Sequence, residues 1–179
     1  MDEIDWHSLH TAHGPADAVP AAIAALSNAK TEEEARAAFG RLDNFVVLGN
    51  TLFDSAVPVI PYAQALTSSP VPFVREYAWE ILIQIAGATD EDGSRRIEHA
   101  AYRLLRSKPE LSRRAAEDSE PVIRHSGLLF AALVESDWNA VVSMAERLVD
   151  DPSPIVRELA NSIREHGPAS WDRTPADDD

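Results

Sequence analysis

A short motif of proline, two further residues and arginine occurs three times in this chain, each time directly before an apolar stretch. It reads PFVR at 72–75, PVIR at 121–124 and PIVR at 154–157. Proline is tolerated in the first turn of a helix because the N–H groups there have no partner within the helix. The repetition predicts stacked helix pairs, since one pair cannot bury its own apolar face.

The remaining segments also predict helices, and strand signals are scarce. AVPAAIAALS at 18–27 is similar to AVPVIPYAQALT at 56–67, and Thr31–Glu34 has the pattern of a capping box that begins a helix. The sequence therefore predicts about eight or nine short helices in one domain over residues 1–167. Residues 168–179 lack an apolar period, which predicts a mobile acidic tail.

The segments around the motif resemble the second-helix signature of HEAT repeats, in which an aspartate and a proline precede a Val-Arg pair on an apolar helix. DDPSPIVRELA at 150–160 and EDSEPVIRHSG at 117–127 carry the whole pattern, whereas SSPVPFVREYA at 68–78 has Ser69 in place of the aspartate. The resemblance covers roughly residues 56–166 and extends to small bacterial HEAT-like proteins. It implies an all-α, HEAT-like α-solenoid of about four helical hairpins, stacked in a right-handed sense.

The same resemblance implies a ladder of aspartate and arginine side chains along the stack. The pairs that match are Asp118 with Arg124 and Asp151 with Arg157. Ser69 interrupts this ladder at Arg75, which leaves Arg75 available for another role.

The charge of the chain constrains its partners. The net charge is −14, and residues 1–93 hold 14 acidic and 4 basic residues. Such a surface repels nucleic-acid phosphates and favours a basic protein partner. No apolar run has the roughly 18 residues that a membrane span needs, and the chain contains no cysteine. We therefore expect a cytoplasmic protein that binds neither nucleic acid nor membrane.

The segment DWHSLHTAHG at 5–14 raises the question of a metal site, because it contains His7, His10 and His13. Histidines three apart on a helix are able to bind zinc. However, Gly14-Pro15 ends any helix directly after His13, so the three rings do not share one rigid face. The favoured interpretation is an end cap in which Trp6 and Leu9 close the apolar stack and the histidines lie mostly outside. No metal is predicted.

Known enzymes with HEAT-like scaffolds give little support for catalysis. Deoxyhypusine hydroxylases carry repeated His-Glu pairs, and this chain has none. HEAT-like DNA glycosylases bind DNA in a basic groove, which the net charge opposes. The sequence contains no nucleophile elbow and no phosphate-binding glycine loop. It predicts no catalytic residue and no cofactor.

The favoured function is a non-enzymatic protein-binding module that uses the inner surface formed by the second helices. More narrowly, we expect an immunity-type protein that neutralises a basic partner or toxin, and we expect the chain to be a monomer. The alternative is an accessory enzyme or lyase that uses the concave groove. The predicted partner-binding residues are Arg75, Glu76, Trp79, Glu80, Arg124, His125, Arg157, Glu158 and Asn161.

Overall fold

Proline and a capping box begin four helices in the computed structural model, which describes residues 4–90 and 95–171. Pro72, Pro121 and Pro154 each occupy the first position of a helix. The backbone N–H of Glu34 donates to Thr31 Oγ1, and the Glu34 carboxylate accepts from the backbone N–H of Thr31. The helix starts predicted from these residues are therefore confirmed.

The described chain is mainly α-helical, as the sequence predicts. Its nine α-helices are α1 Val19–Asn28, α2 Glu32–Val46, α3 Ala56–Leu66, α4 Pro72–Gly87, α5 Arg96–Leu105, α6 Glu110–Ala115, α7 Pro121–Val134, α8 Trp138–Glu146 and α9 Pro154–His166. Short 3-10 turns cover Trp6–Ser8, Ala16–Ala18 and Pro168–Ser170.

The described residues also form five two-residue strands, which the sequence did not predict. They are β1 His10–Thr11, β2 Gly14–Pro15, β3 Val47–Leu48, β4 Thr51–Leu52 and β5 Thr89–Asp90. β1 and β2 form a hairpin, whereas β4 pairs antiparallel with β3 and parallel with β5. The end of α2 is thereby tied to the end of α4.

The helices pack in pairs, and one helix of each pair forms a continuous layer. α1 packs on α2, α3 on α4, α6 on α7 and α8 on α9. The layer consists of α2, α4, α7 and α9, which lie side by side in that order. α5 contacts both α3 and α4.

Helix α7 belongs to two apolar clusters. Ile123, Phe130 and Leu133 lie in the large cluster built mainly from α1 to α5, while Leu128 and Ala131 lie in the cluster shared with α8 and α9. This double burial explains why the sequence of α7 is apolar around most of its circumference.

Gly127 allows α6 to approach α7 closely. A Cβ atom at this position would lie 2.4 Å from the Cβ of Ala115 and 3.1 Å from the carbonyl oxygen of Ser112. No larger residue fits here without movement of α6.

The N-terminal segment forms a cap of a 3-10 turn and a hairpin. Trp6 and Leu9 are partly buried and pack on the large cluster. His7 Nδ1 lies 3.1 Å from Asp17, and His10 Nδ1 lies 3.3 Å from Asp54. The histidines therefore have different partners on the exposed side of the cap.

The first residues of the predicted C-terminal tail pack on the helices. Residues 168–170 of the predicted mobile tail form a 3-10 turn, and Trp171 packs against the cluster of α7 to α9. The remainder of that tail, 172–179, lies outside the described residues.

Candidate functional site

Arginines at the starts of the layer helices form a ladder, and its second step is the tighter one. Arg124 Nε lies 2.7 Å from Asp151 Oδ2, and Arg124 Nη2 lies 2.8 Å from Asp151 Oδ1. Only 11% of the Arg124 side chain and 5% of the Asp151 side chain are exposed. The hydrogen bonds from Arg124 lower the pKa of Asp151, against the effect of burial.

The first step of the ladder corrects the expectation that Arg75 is available for another role. Arg75 Nη2 donates to Asp118 Oδ1 at 3.3 Å, and Arg75 Nη1 donates to the carbonyl oxygen of Ser69 at 3.2 Å. Arg75 and Arg124 thus each reach the aspartate of the following helix pair, so the side-chain partner of Arg124 is Asp151 and not Asp118 as the resemblance implies. The serine at position 69 does not release Arg75, because the carboxylate that Arg75 needs is Asp118.

Arg157 stands at the end of the ladder. Its Nη1 donates to the carbonyl oxygens of Asp151 and Pro152, as Arg124 does to those of its own loop. No carboxylate side chain in the described ranges pairs with Arg157. The ladder therefore ends on a guanidinium group.

A second set of residues forms a surface across three layer helices, which we name the α2–α4–α7 face. It comprises Glu32, Arg36, Phe39, Asp43, Glu76, Tyr77, Glu80 and His125. Phe39 stacks on Tyr77 with ring centroids 5.0 Å apart, and Arg36 Nε donates to the Tyr77 hydroxyl at 3.4 Å. These contacts hold α2 and α4 in a fixed relation.

The α2–α4–α7 face concentrates negative charge. Arg36 pairs with Glu32 at 3.0 Å, but Asp43, Glu76 and Glu80 have no ion pair with any described residue. Burial raises the pKa of Asp43, and the charge of Glu80 raises it further. Burial also raises the pKa of Glu76, assisted by Glu32 and then Glu80. The protein therefore keeps three carboxylates close together at a cost in free energy.

The other predicted partner-binding residues are not all on this surface. Trp79 lies in the core at 1% exposure, and its ring and that of Phe130 form an edge-to-face pair with centroids 5.4 Å apart. His125 is half-buried beside Glu80, and burial lowers its pKa while Glu80 opposes the shift. Glu158 and Asn161 are exposed on α9. Trp79 thus belongs to the core, whereas Glu76, Glu80 and His125 share the face.

Sequence reasoning missed the contribution of α2. Glu32, Arg36, Phe39 and Asp43 follow one another at helical spacing from the capping box, so they fall on one stripe of α2. The signal was present, but α2 lacks the Pro-x-x-Arg motif that marks α4, α7 and α9. Its place in the layer was therefore not recognised.

The described residues include no group of three or more histidine, aspartate or glutamate side chains that could hold a metal ion. Within 4–90 and 95–171, no helix is both long and apolar enough to cross a membrane. His7 and His10 use separate carboxylates, as described above, and His13 is exposed.

Comparisons of the chain with protein-family models, with curated proteins and with solved structures found no match.

Proposed function

We propose that this chain is a non-enzymatic protein-binding module whose α2–α4–α7 face binds a basic partner. The observation that carries the proposal is the group of three carboxylates, Asp43, Glu76 and Glu80, without an ion pair to any described residue. Their mutual repulsion is relieved when a cationic side chain approaches. A partner that supplies lysine or arginine therefore gains more here than at an isolated surface carboxylate.

The scaffold we propose is a HEAT-like α-solenoid of about four helix pairs. Support comes from the pairwise packing, from the layer α2, α4, α7 and α9, and from the arginine–aspartate ladder that links successive pairs. In such stacks the second helices form an extended surface that commonly binds other proteins. The α2–α4–α7 face lies on those helices.

The narrower form of the proposal is an immunity-type protein of a bacterial cytoplasm that, as a monomer, occludes a basic toxin. The net charge of −14 supports fast, salt-sensitive association with a basic protein and disfavours nucleic acid. The stacked pair Phe39 and Tyr77 supplies apolar area beside the carboxylates. Aromatic residues next to charged ones are typical of interface hot spots.

A charge-matched pair of variants tests the proposal with a nona-arginine peptide as the probe. The double variant Glu76→Gln/Glu80→Gln removes two charges from the face, and Glu110→Gln/Glu146→Gln removes two exposed charges elsewhere. Fluorescence anisotropy at low salt should show a loss of affinity of about tenfold for the first variant and less than about threefold for the second. Equal losses would mean that net charge alone attracts the peptide and would contradict a specific face.

The physiological partner is then identified by quantitative pull-down with the same three proteins. A basic protein retained by the wild type and by Glu110→Gln/Glu146→Gln, but lost with Glu76→Gln/Glu80→Gln, supports the proposal. An acidic partner, or one that survives high salt unchanged, contradicts it. Light scattering of the free protein measures its mass in solution and so tests the prediction that it is a monomer.

A further inference from the structure

A groove of about 470 Å³ opens on another side of α4, between the loop before α4 and the start of α7. Its walls include Ser68, Ser69 and Arg75, together with Trp79 and Arg114. The groove shares no residue with the α2–α4–α7 face. Its volume is within the range of small-molecule sites.

Two of the residues that line this groove each carry a buried hydrogen-bond donor without an acceptor. The donors are Trp79 Nε1 and Arg75 Nε, neither of which has a partner among the described residues. Trp79 is 1% exposed, so its N–H has lost water without gaining a protein acceptor. A buried unsatisfied donor is unusual in a native protein and calls for an explanation such as a ligand.

The step between Arg124 and Asp151 shows that an unpaired arginine Nε is not a general property of the motif. Arg124 Nε donates to Asp151 at 2.7 Å and is satisfied. Arg75 donates from Nη2 to Asp118 and from Nη1 to the carbonyl oxygen of Ser69. Its Nε has no acceptor among the described residues. The spare donor is thus a property of the step that borders the groove.

Ser69 stands where the two other motif loops have an aspartate. It gives this groove one negative charge fewer and still supports the turn. Ser69 Oγ accepts the backbone N–H of Val71 at 3.2 Å. Asp118 and Asp151 accept the N–H two residues later in their own loops in the same way. An aspartate would therefore suit the turn at position 69 equally well, but it would place a second carboxylate on the wall.

The charges on the wall favour an anion. Arg114 is exposed and has no ion pair with a described residue. Asp118 is the one acidic residue of the lining, and Arg75 already pairs with it. Ser68 and Ser119 add exposed hydroxyl donors. The described lining side chains thus include an unpaired cation, Arg114, and no unpaired carboxylate.

We propose that this groove binds the oxyanion group of a small ligand, a phosphate or a carboxylate, with Trp79 Nε1 and Arg75 Nε as the buried donors. Arg114 and the serine hydroxyls complete the contacts at the rim. Both kinds of oxyanion offer several acceptor lone pairs and a negative charge, which match these donors.

The indole N–H resonances of the four tryptophans report on the proposal directly. Inorganic phosphate and succinate are titrated separately into the full chain, with sodium chloride at matched ionic strength as the control. The Trp79 resonance, assigned with Trp79→Phe, should move downfield and saturate, while those of Trp6, Trp138 and Trp171 stay in place. A response to phosphate alone or to succinate alone identifies which oxyanion the groove takes, and either result supports the site.

Two variants distinguish the groove from general attraction of anions. Ser69→Asp should weaken binding at least about tenfold, because it puts a carboxylate beside the ligand and preserves the turn. Arg114→Gln should weaken it severalfold, whereas the exposed neighbour Arg113→Gln, which does not line the groove, should leave it unchanged.

The proposal is overturned if neither probe produces a saturable shift of the Trp79 resonance. It is also overturned if Ser69→Asp binds as the wild type does. An upfield Trp79 resonance that does not respond to either probe would assign its N–H to the ring face of Phe130 instead.

Discussion

The two steps of the arginine–aspartate ladder have the same residue types and very different surroundings. Arg124 and Asp151 form two short hydrogen bonds with both side chains almost fully buried. Arg75 and Asp118 form one bond of 3.3 Å, with 15% and 23% of their side chains exposed, at the edge of a groove. The comparison shows that the same motif forms a buried ion pair at one position and leaves a hydrogen-bond donor for a ligand at another.

The largest effect is expected at the tight step. Asp151→Asn leaves the buried Arg124 guanidinium without its counter-charge, so the free energy of unfolding should fall by about 3–5 kcal/mol. Urea denaturation measures this loss. The exposed pair of Arg147 and Glu117, 3.4 Å apart, provides the control, and Glu117→Gln should cost less than about 1 kcal/mol.

A much smaller loss is expected at the loose step. Asp118→Asn removes the negative charge opposite Arg75 but keeps the Oδ1 atom that accepts from both Arg75 and the loop N–H, so stability should fall by about 1 kcal/mol. If Asp118→Asn and Asp151→Asn cost the same in urea, the two steps are energetically equivalent and the contrast drawn here is wrong.

The close contact between α6 and α7 can be disturbed at Gly127. Gly127→Ala should lower stability by about 1–3 kcal/mol, because the new methyl group overlaps Ala115 and forces α6 away from α7. Gly40→Ala in α2 is the matched control: nothing lies within 4 Å of its Cβ, so it should gain up to about 1 kcal/mol from helix propensity. A gain at both glycines would show that α6 moves freely.

Acid should affect the tight step in a predictable direction. Because the folded-state pKa of Asp151 lies below its ordinary value, its carboxylate stabilises the fold above the unfolded-state pKa, and this contribution is lost as pH falls through the folded-state pKa. The stability difference between wild type and Asp151→Asn should therefore shrink between about pH 5 and pH 2. Denaturant titrations across this range measure it, and a constant difference would contradict the shift.

The smallest effect is expected on the α2–α4–α7 face and has the opposite sign. Glu76 and Glu80 are like charges one helical turn apart, so Glu80→Gln should raise the free energy of unfolding by about 0.2–0.5 kcal/mol. Glutamine retains an oxygen for the Gln84 amide, which donates to Glu80 at 3.1 Å. Thermal melting measures the gain, with Glu146→Gln as the control. A destabilised Glu80→Gln would mean that the carboxylate has a structural role.

The sequence was informative where structure depends on neighbouring residues. The prolines at 72, 121 and 154 and the capping box at Thr31 act within one helical turn, and the helices begin where these signals predict. The Pro-x-x-Arg motif also located two of the three helices of the α2–α4–α7 face. These features need no knowledge of distant partners.

Contacts between distant residues were the part that sequence reasoning missed. The pairing of Thr51 with Thr89 could not be predicted, because a strand of two residues carries no periodicity in the sequence. The partner of Arg75 lies 43 positions away at Asp118, whereas the motif suggested a partner in its own loop. The same limit hid the groove, because its lining residues lie within 67–79 and 111–123, two parts of the chain that are distant in sequence.

The membership of α7 in both apolar clusters has a consequence for how the chain opens. In a stack whose units only touch their neighbours, an end unit is able to fray while the others persist. Here the residues of α7 that cover α9 are interleaved along the same helix with those that cover α4. Detachment of the last pair exposes one side of a helix that the rest of the protein still holds, so amide hydrogens of α7 report global unfolding and those of α8 report the local event.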